Sequence, residues 1–236
     1  MRDWFIKKAT SRIGIIICCA LAFTFVIAMK YKPDSSDKSY TLLALGDSYT
    51  IGEQVPAKEN FPNQVVTMLD EKKISFKPAT IVAKTGWTTD ELQAGIHTAK
   101  LKRKYDFVTL LIGVNNQYRG KKVVDYLPDF EALLRQSIRF AGGDSNRVIV
   151  LSIPDWSVTP FAKDRNKDEI SKAIDEYNAA NKLIAEKFHV HYINITTSTR
   201  KAADDPTLLA ADGLHPSGKE YQKWAEEVAA IIKKAL

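Results

Sequence analysis

From residue 40 onward, apolar and polar positions fall into two alternating rhythms. Short runs at 41–45, 79–83, 107–112, 148–153 and 190–195 are rich in Val, Ile and Leu with little polar interruption, the pattern of strands buried on both faces. Between them, near 60–72, 88–101, 123–140 and 168–188, and again at 217–235, the pattern is that of helices. Thr88-Thr89-Asp90-Glu91 is a good helix start and Ala141-Gly142-Gly143 a good stop. Regular alternation of strand and helix implies parallel strands joined by right-handed crossovers. The fold class is therefore α/β, a three-layer α/β/α sandwich around a five-stranded, mainly parallel sheet.

That architecture says where chemistry belongs, beyond the carboxyl ends of the strands. Ser48 follows the first run, Gly86 the second and Asn115 the third, while Asp155 and Trp156 follow the fourth. All fall at the same edge, which folding alone does not require.

The first 32 residues follow a different logic. Arg2, Lys7, Lys8, Arg12, Lys30 and Lys32 face Asp3 alone, so of the net charge of +6 only +1 remains for the rest of the chain. A nearly neutral body gives no argument for nucleic acid. The uncharged run 13–29 is at the short limit for crossing a hydrocarbon core of roughly 30 Å. A cleaved secretory signal and an uncleaved anchor both fit it, and a core helix fits less well because of the basic flank. Either favoured reading sends the body outward, exported and secreted or membrane-anchored, with membrane contact through 13–29 if uncleaved. The domain plan is a signal or anchor at 1–30, a polar linker at 31–39 and a catalytic-size domain at 40–236. Both cysteines, Cys18 and Cys19, lie in the apolar run, so the body can form no disulfide.

Two short motifs carry candidate chemistry. Gly46-Asp47-Ser48-Tyr49-Thr50 offers a serine where a strand turns into a helix, and Asp212-Gly213-Leu214-His215-Pro216 offers a histidine with an aspartate three residues before it. A serine hydroxyl needs an adjacent base, and that base needs a third group to hold its tautomer. Ser48, His215 and Asp212 could supply all three. The plainer readings are an N-cap for Ser48 and a simple turn for Asp212-Gly213. Pro216 biases His215 to an extended conformation with helix starting at or just after it.

On these motifs the chain resembles the SGNH hydrolases, the GDSL-type esterase and lipase family, from about residue 40 to the end. The first block reads Gly46-Asp47-Ser48-Tyr49-Thr50-Ile51-Gly52, the second has its glycine at Gly86 in Lys84-Thr85-Gly86-Trp87-Thr88, the third is Gly113-Val114-Asn115-Asn116, and the last is Asp212 to Pro216. The resemblance implies the flavodoxin-like fold of that family, with Ser48 as nucleophile, His215 as base and Asp212 as its orienter. It also implies an oxyanion hole from the N–H groups of Ser48 and Gly86 and the side-chain amide of Asn115. Lys84 and Asn116 stand where family members often carry asparagine and aspartate.

The activity implied is ester hydrolysis on a small or polymer-borne substrate, an acylated lipid or an acetylated carbohydrate, with no cofactor. Lysophospholipase, thioesterase and polysaccharide deacetylase activities all fit. Acyl transfer to a sugar is a variant, and a non-catalytic binding protein on an α/β scaffold is the alternative from another class. Trp87, Asp155 and Trp156 are candidate substrate contacts, or caps of the core. His189-x-His191 would put both rings on one strand face without a third zinc ligand nearby, so no metal is expected. Asn194-Ile195-Thr196 matches a glycosylation sequon on an expected buried strand.

Overall fold

A computed structural model describes residues 38–236, and the apolar run, its cysteines and its basic flanks lie outside the described residues. Among the described residues no helix is long and apolar enough to cross a membrane. Ser39–Leu236 forms one unit.

Five parallel strands, β1 (Leu42–Asp47), β2 (Thr80–Lys84), β3 (Phe107–Leu111), β4 (Val148–Leu151) and β5 (His191–Ile193), make one sheet in the order β2-β1-β3-β4-β5. The order reverses direction at β1, so right-handed crossovers send the β1-to-β2 connection to one face and the later connections to the other. The helices obey. α1 (Ser48–Ile51) is a single turn, and α2 (Phe61–Glu71) carries the chain to β2. α3 (Thr89–Thr98), then the short α4 (Val114–Tyr118) and long α5 (Val123–Phe140), and α6 (Lys167–Lys187) follow the next strands. α7 (Thr196–Thr199) is again one turn, and α8 (Gly218–Ala235) ends the chain. α8 packs on α2, while α5 packs on both α3 and α6, giving the two outer layers.

The core is continuous through both layers. β1 and β3 are buried at every position, as their unbroken apolar runs require. Trp224 and Tyr221 of α8 are fully buried, and the Trp224 ring meets that of Phe61 of α2 at 6.3 Å between centroids. Removing a buried tryptophan of this kind typically costs about 3–5 kcal/mol.

The caps follow their local chemistry. The Thr88 N–H donates to Glu91 Oε2 at 2.9 Å, so α3 opens with the capping partner expected of Thr-x-x-Glu. At the other end of α5, Ala141 is the C-cap and Gly142 follows with φ +73°.

Some boundaries differ from the sequence expectation. β4 ends at Leu151: the Ser152 N–H still donates to the Ile193 carbonyl of β5 at 2.9 Å, but the next N–H, of Ile153, is taken by the Asn178 side chain at 2.8 Å. β5 is only three residues long. His189 precedes it with φ +53°, so the strand alternation expected to align His189 with His191 does not apply. Asn194 lies past β5, exposed, rather than on a buried strand.

Register brings the strand ends level. Asp47 lies beside Lys84, and Gly46 beside Leu111. Ser48, Thr85-Gly86 and Gly113-Val114-Asn115 therefore emerge side by side at the point where strand order reverses.

Candidate active site

Gly46 lets α1 turn tightly off β1. A Cβ there would sit 2.4 Å from the Leu111 carbonyl oxygen and 2.1 Å from Thr50 Oγ1, so only glycine permits this close approach. The cap of α1 is Asp47, not Ser48: its Oδ1 accepts from the Tyr49 N–H at 3.0 Å. The N-cap reading of Ser48 is thereby replaced. Ser48 occupies the first helical position, with its backbone N–H among those a helix start leaves without an intrahelical partner.

Asp47 is fully buried, and among the described residues no cation pairs with it. Burial pushes its carboxyl up to about 7, against the opposing pull of the Tyr49 N–H and the Asn115 amide. Asn115, on α4, donates through Nδ2 to the Trp87 carbonyl at 3.0 Å and to Asp47 Oδ2 at 3.4 Å. The second bond is at the weak end of hydrogen-bond geometry.

Gly86 adopts φ +80°, a conformation that suits glycine, and its carbonyl accepts from Arg119 Nη2 at 2.6 Å. Glu91 holds the same guanidinium at 3.1 Å. Next to Asn115, Asn116 is fully buried and pins the start of α3, accepting from the Thr89 N–H at 3.1 Å and donating to Thr89 Oγ1 at 2.8 Å. Its amide thus fills a scaffold position.

His215 is held from several sides. The Ala210 N–H donates to the His215 carbonyl at 2.7 Å, closing the loop around Gly213, and the His215 N–H donates to Asp212 Oδ1 at 3.0 Å. Its ring packs against Tyr49, with centroids 5.0 Å apart, and the residue is 7% exposed. His215 Nδ1 lies 2.6 Å from Asp212 Oδ2. Partial burial pushes the Asp212 carboxyl up, but the His215 ring and the His215 and Leu214 N–H groups outweigh it and hold Asp212 below its ordinary value. An ionised carboxylate only accepts, so Nδ1 carries a proton, and in the neutral ring the acceptor is Nε2.

Ser48, Gly86, Asn115 and His215 all line one cleft of about 160 Å³. Among the described residues no hydrogen bond joins Ser48 to His215. Catalytic hydrogen bonds are often loose before substrate arrives. The remaining wall is mostly apolar: Val114, Leu214, Tyr118, Trp156 and Phe161. Tyr118, Trp156 and Phe161 form a triangle of rings with centroids 5.4, 6.0 and 6.1 Å apart, and the Trp156 Nε1–H donates to Gln117 Oε1 at 2.8 Å.

Of the three candidate substrate contacts, Trp156 alone is in this wall. Trp87 packs its ring on α3, so closely that a Cβ at Gly95 would meet it at 2.2 Å. Asp155 is 1% exposed, with its carboxylate taken by the Ser157 N–H at 2.9 Å, Ser171 Oγ at 2.7 Å and Arg200 Nε at 2.9 Å. Those bonds brace the turn that carries Trp156 and occupy the carboxylate. Tyr118 and Phe161 were not among the expected contacts. Their signal was aromatic residues placed just past the third and fourth strands in otherwise polar loops.

The profile of the GDSL-like lipase/acylhydrolase family matches residues 44–223. The chain belongs to that family. An acetylxylan esterase from Geobacillus stearothermophilus is 26% identical to this GDSL-like chain over 142 residues, which are 56% of this chain and 62% of that protein. The chain thus matches somewhat under two thirds of that relative's length. The crystal structure of an acetylxylan esterase from the same organism superposes with a TM-score of 0.64 at 19% identity, over 82% of this chain and 94% of that one. A lipase/acylhydrolase from Enterococcus faecalis gives 0.65 at 20% identity, over 84% and 97%. At such identities the structural likeness establishes the GDSL-type α/β fold.

Proposed function

We propose that this chain hydrolyses carboxylic esters through an acyl-serine intermediate, with Ser48 as nucleophile, His215 as general base and Asp212 as its orienting carboxylate. The observation that carries the reading is the state of His215. Its Nδ1 is engaged by an acceptor-only carboxylate, so Nε2 is the ring nitrogen left to take a proton, in the wall of the cleft that also holds Ser48.

On this reading, Ser48 Oγ turns toward Nε2 as substrate enters, gives up its proton and attacks the ester carbonyl. The developing oxyanion takes hydrogen bonds from the Ser48 and Gly86 N–H groups and from Asn115. Asn115 has an N–H to give, because its 3.4 Å bond to Asp47 is the weaker of its two. Donors aimed at the oxyanion typically contribute about 2.7–4 kcal/mol each. The imidazolium of His215 then protonates the leaving alcohol, and water repeats the sequence on the acyl-serine.

The small cleft, walled by apolar side chains, suits a short acyl group. The likeness to acetylxylan esterases favours an acetylated carbohydrate over an acylated lipid. Hydrolysis of p-nitrophenyl esters from acetyl to palmitoyl tests this, run beside Ser48→Ala. Turnover should be fastest on acetyl and absent in the variant. A variant that keeps its rate, or no hydrolysis at any chain length, overturns the reading. We also assign the body to the outside of the cytoplasm, on the basic residues ahead of the apolar run 13–29. A body secreted, periplasmic or anchored outside the cytoplasm is degraded by protease once any outer envelope is opened, so protection that persists until the cytoplasmic membrane itself is lysed would refute that.

A further inference from the structure

Across the rings of Tyr118 and Trp156 lies a second cleft of about 450 Å³. Both rings line both spaces. One bank is the turn from α4 into α5, at 120–123, and the other is the start of α6 with the residues before it. The bank is fixed: the Tyr177 O–H donates to the Lys121 carbonyl at 2.5 Å.

The lining differs in kind from that of the catalytic cleft. Lys122, Arg165, Asn166, Glu169 and Glu176 are all exposed there. Lys121, at the margin, is paired with Asp90, whereas Lys122, Glu169 and Glu176 enter no ion pair among the described residues. Arg165 lies over the Tyr118 ring, 5.8 Å from its centroid. Gln117 spends its oxygen on Trp156, which leaves its N–H₂ to the cleft.

This mixture selects a ligand chemistry. A long acyl chain would strip water from charged groups and return nothing. A phosphate or sulfate would meet the Glu169 and Glu176 carboxylates. A neutral polyol fits, because each hydroxyl both donates and accepts and so satisfies cations, carboxylates and amides at once. Its C–H faces can lie on the Tyr118 ring, which is 45% exposed.

We propose that this cleft is an oligosaccharide subsite that holds the sugar units adjoining the acylated one. The inference rests on the ester-hydrolase reading for the acylated unit and not for the binding of sugar. It makes the substrate a carbohydrate polymer whose acyl group enters the smaller cleft while its neighbours occupy the larger.

Two measurements test it separately. The first is calorimetry of the full protein with xylotetraose and with chitotetraose. At least one should bind, and Arg165→Ala/Glu169→Ala should weaken that binding by about tenfold or more. Glu176→Ala, a helix-compatible change on an exposed face, should weaken it as well, and it serves if the double variant folds poorly. The second is turnover. The KM for acetylated xylotetraose should be about tenfold below that for acetylated xylose, with the difference lost in the variants. Their kcat/KM on p-nitrophenyl acetate should stay within about twofold of the parent. The subsite is overturned if neither tetrasaccharide binds, if the variants bind as well as the parent, or if inorganic phosphate or decanoate occupies the cleft instead. Tetrasaccharide binding without ester hydrolysis would leave the subsite standing and remove the hydrolase reading.

Discussion

Asp47 and Asp155 make a natural pair. Asp47 ends β1 and Asp155 follows β4 at the same edge of the sheet, each is buried, and each caps the turn two residues on, accepting from the Tyr49 and Ser157 N–H groups at 3.0 and 2.9 Å. They titrate in opposite directions. Asp155 is pushed up by burial, but Ser157, Ser171 and Arg200 together outweigh that and hold it below the ordinary carboxylate value. Among the described residues Asp47 has no cation to do so and is driven up to about 7. The same local turn chemistry thus yields two different environments, and the difference is the set of donors gathered on Asp155: Ser157 and Ser171 first, and then the guanidinium brought in from residue 200. Around Asp155 the charges are closed on one another, as in a support. Around Asp47 they are left open, with a long bond to Asn115 and an uncapped serine alongside, as in a site that must rearrange.

If that contrast is right, changes beside Asp47 should cost rate and leave the fold intact. The largest effect is expected for Ser48→Ala. Turnover on p-nitrophenyl acetate should fall by about 10⁴–10⁶ with an unchanged melting temperature, because the Ser48 side chain neither caps α1 nor bonds its neighbours. A large loss of stability with activity retained would put Ser48 among the scaffold residues. Asn115→Ala comes next: kcat should fall about 10²–10³ with KM held, since its amide bonds strongly only once the carbonyl oxygen becomes an oxyanion. Unchanged kcat per titrated active site would assign Asn115 to the turn alone.

The sequence made one of these two regions legible and hid the other. That Ser48, Gly86, Asn115 and His215 would share one cleft, with Asp212 on the His215 ring, was readable because each sits next to a strand end or within three residues of its partner, where local spacing is informative. The alternation of runs likewise gave five strands and the sandwich. Strand order was not readable, since an apolar run does not say which neighbour it pairs with. Asp155 looked like a ligand contact because its partner Arg200 is forty-five residues away and nothing local announces the pairing. Tyr118 and Phe161 come from a five-residue helix and a short turn that meet only through the fold. Asp47 stood inside the first motif without a role, because burial, which sets its chemistry, is a property of the packed sheet.

A change beside Asp155 should do the reverse of those beside Ser48. Arg200→Met leaves a fully buried carboxylate without its cation. Breaking such a pair typically costs about 3–5 kcal/mol, and because the Arg200 side chain is 35% exposed, about 2–3 kcal/mol is the reasonable expectation here. The Trp156 turn rests on this carboxylate, so the KM for acetylated substrates should rise while kcat changes little. A variant as stable as the parent in urea would mean that Ser157 and Ser171 suffice to hold Asp155 and that the guanidinium adds nothing to the contrast with Asp47.

The smallest effect tests Asp47 itself, through pH. Its folded carboxyl titrates near 7 against an ordinary value of 3.8. Between those values the folded state binds a proton that the unfolded chain has released, so Asp47 contributes stability that is full below about 3.8 and is lost as pH rises toward 7. Asp47→Asn cannot titrate, and its side-chain oxygen can still accept from the Tyr49 N–H. The melting temperature of the parent should therefore fall relative to the variant as pH rises through this window. One full proton corresponds to about 1.4 kcal/mol per pH unit, so between pH 5.5 and 6.5 the gap should move by up to roughly 3–6 °C for a domain of this size. Other titrating groups affect both proteins alike and cancel in the difference. A gap that stays constant across the window would mean that Asp47 is ionised throughout, held there by Tyr49 and Asn115 despite its burial. The two aspartates would then differ in partners but not in charge, and Asn115 would face a fixed anion at every working pH.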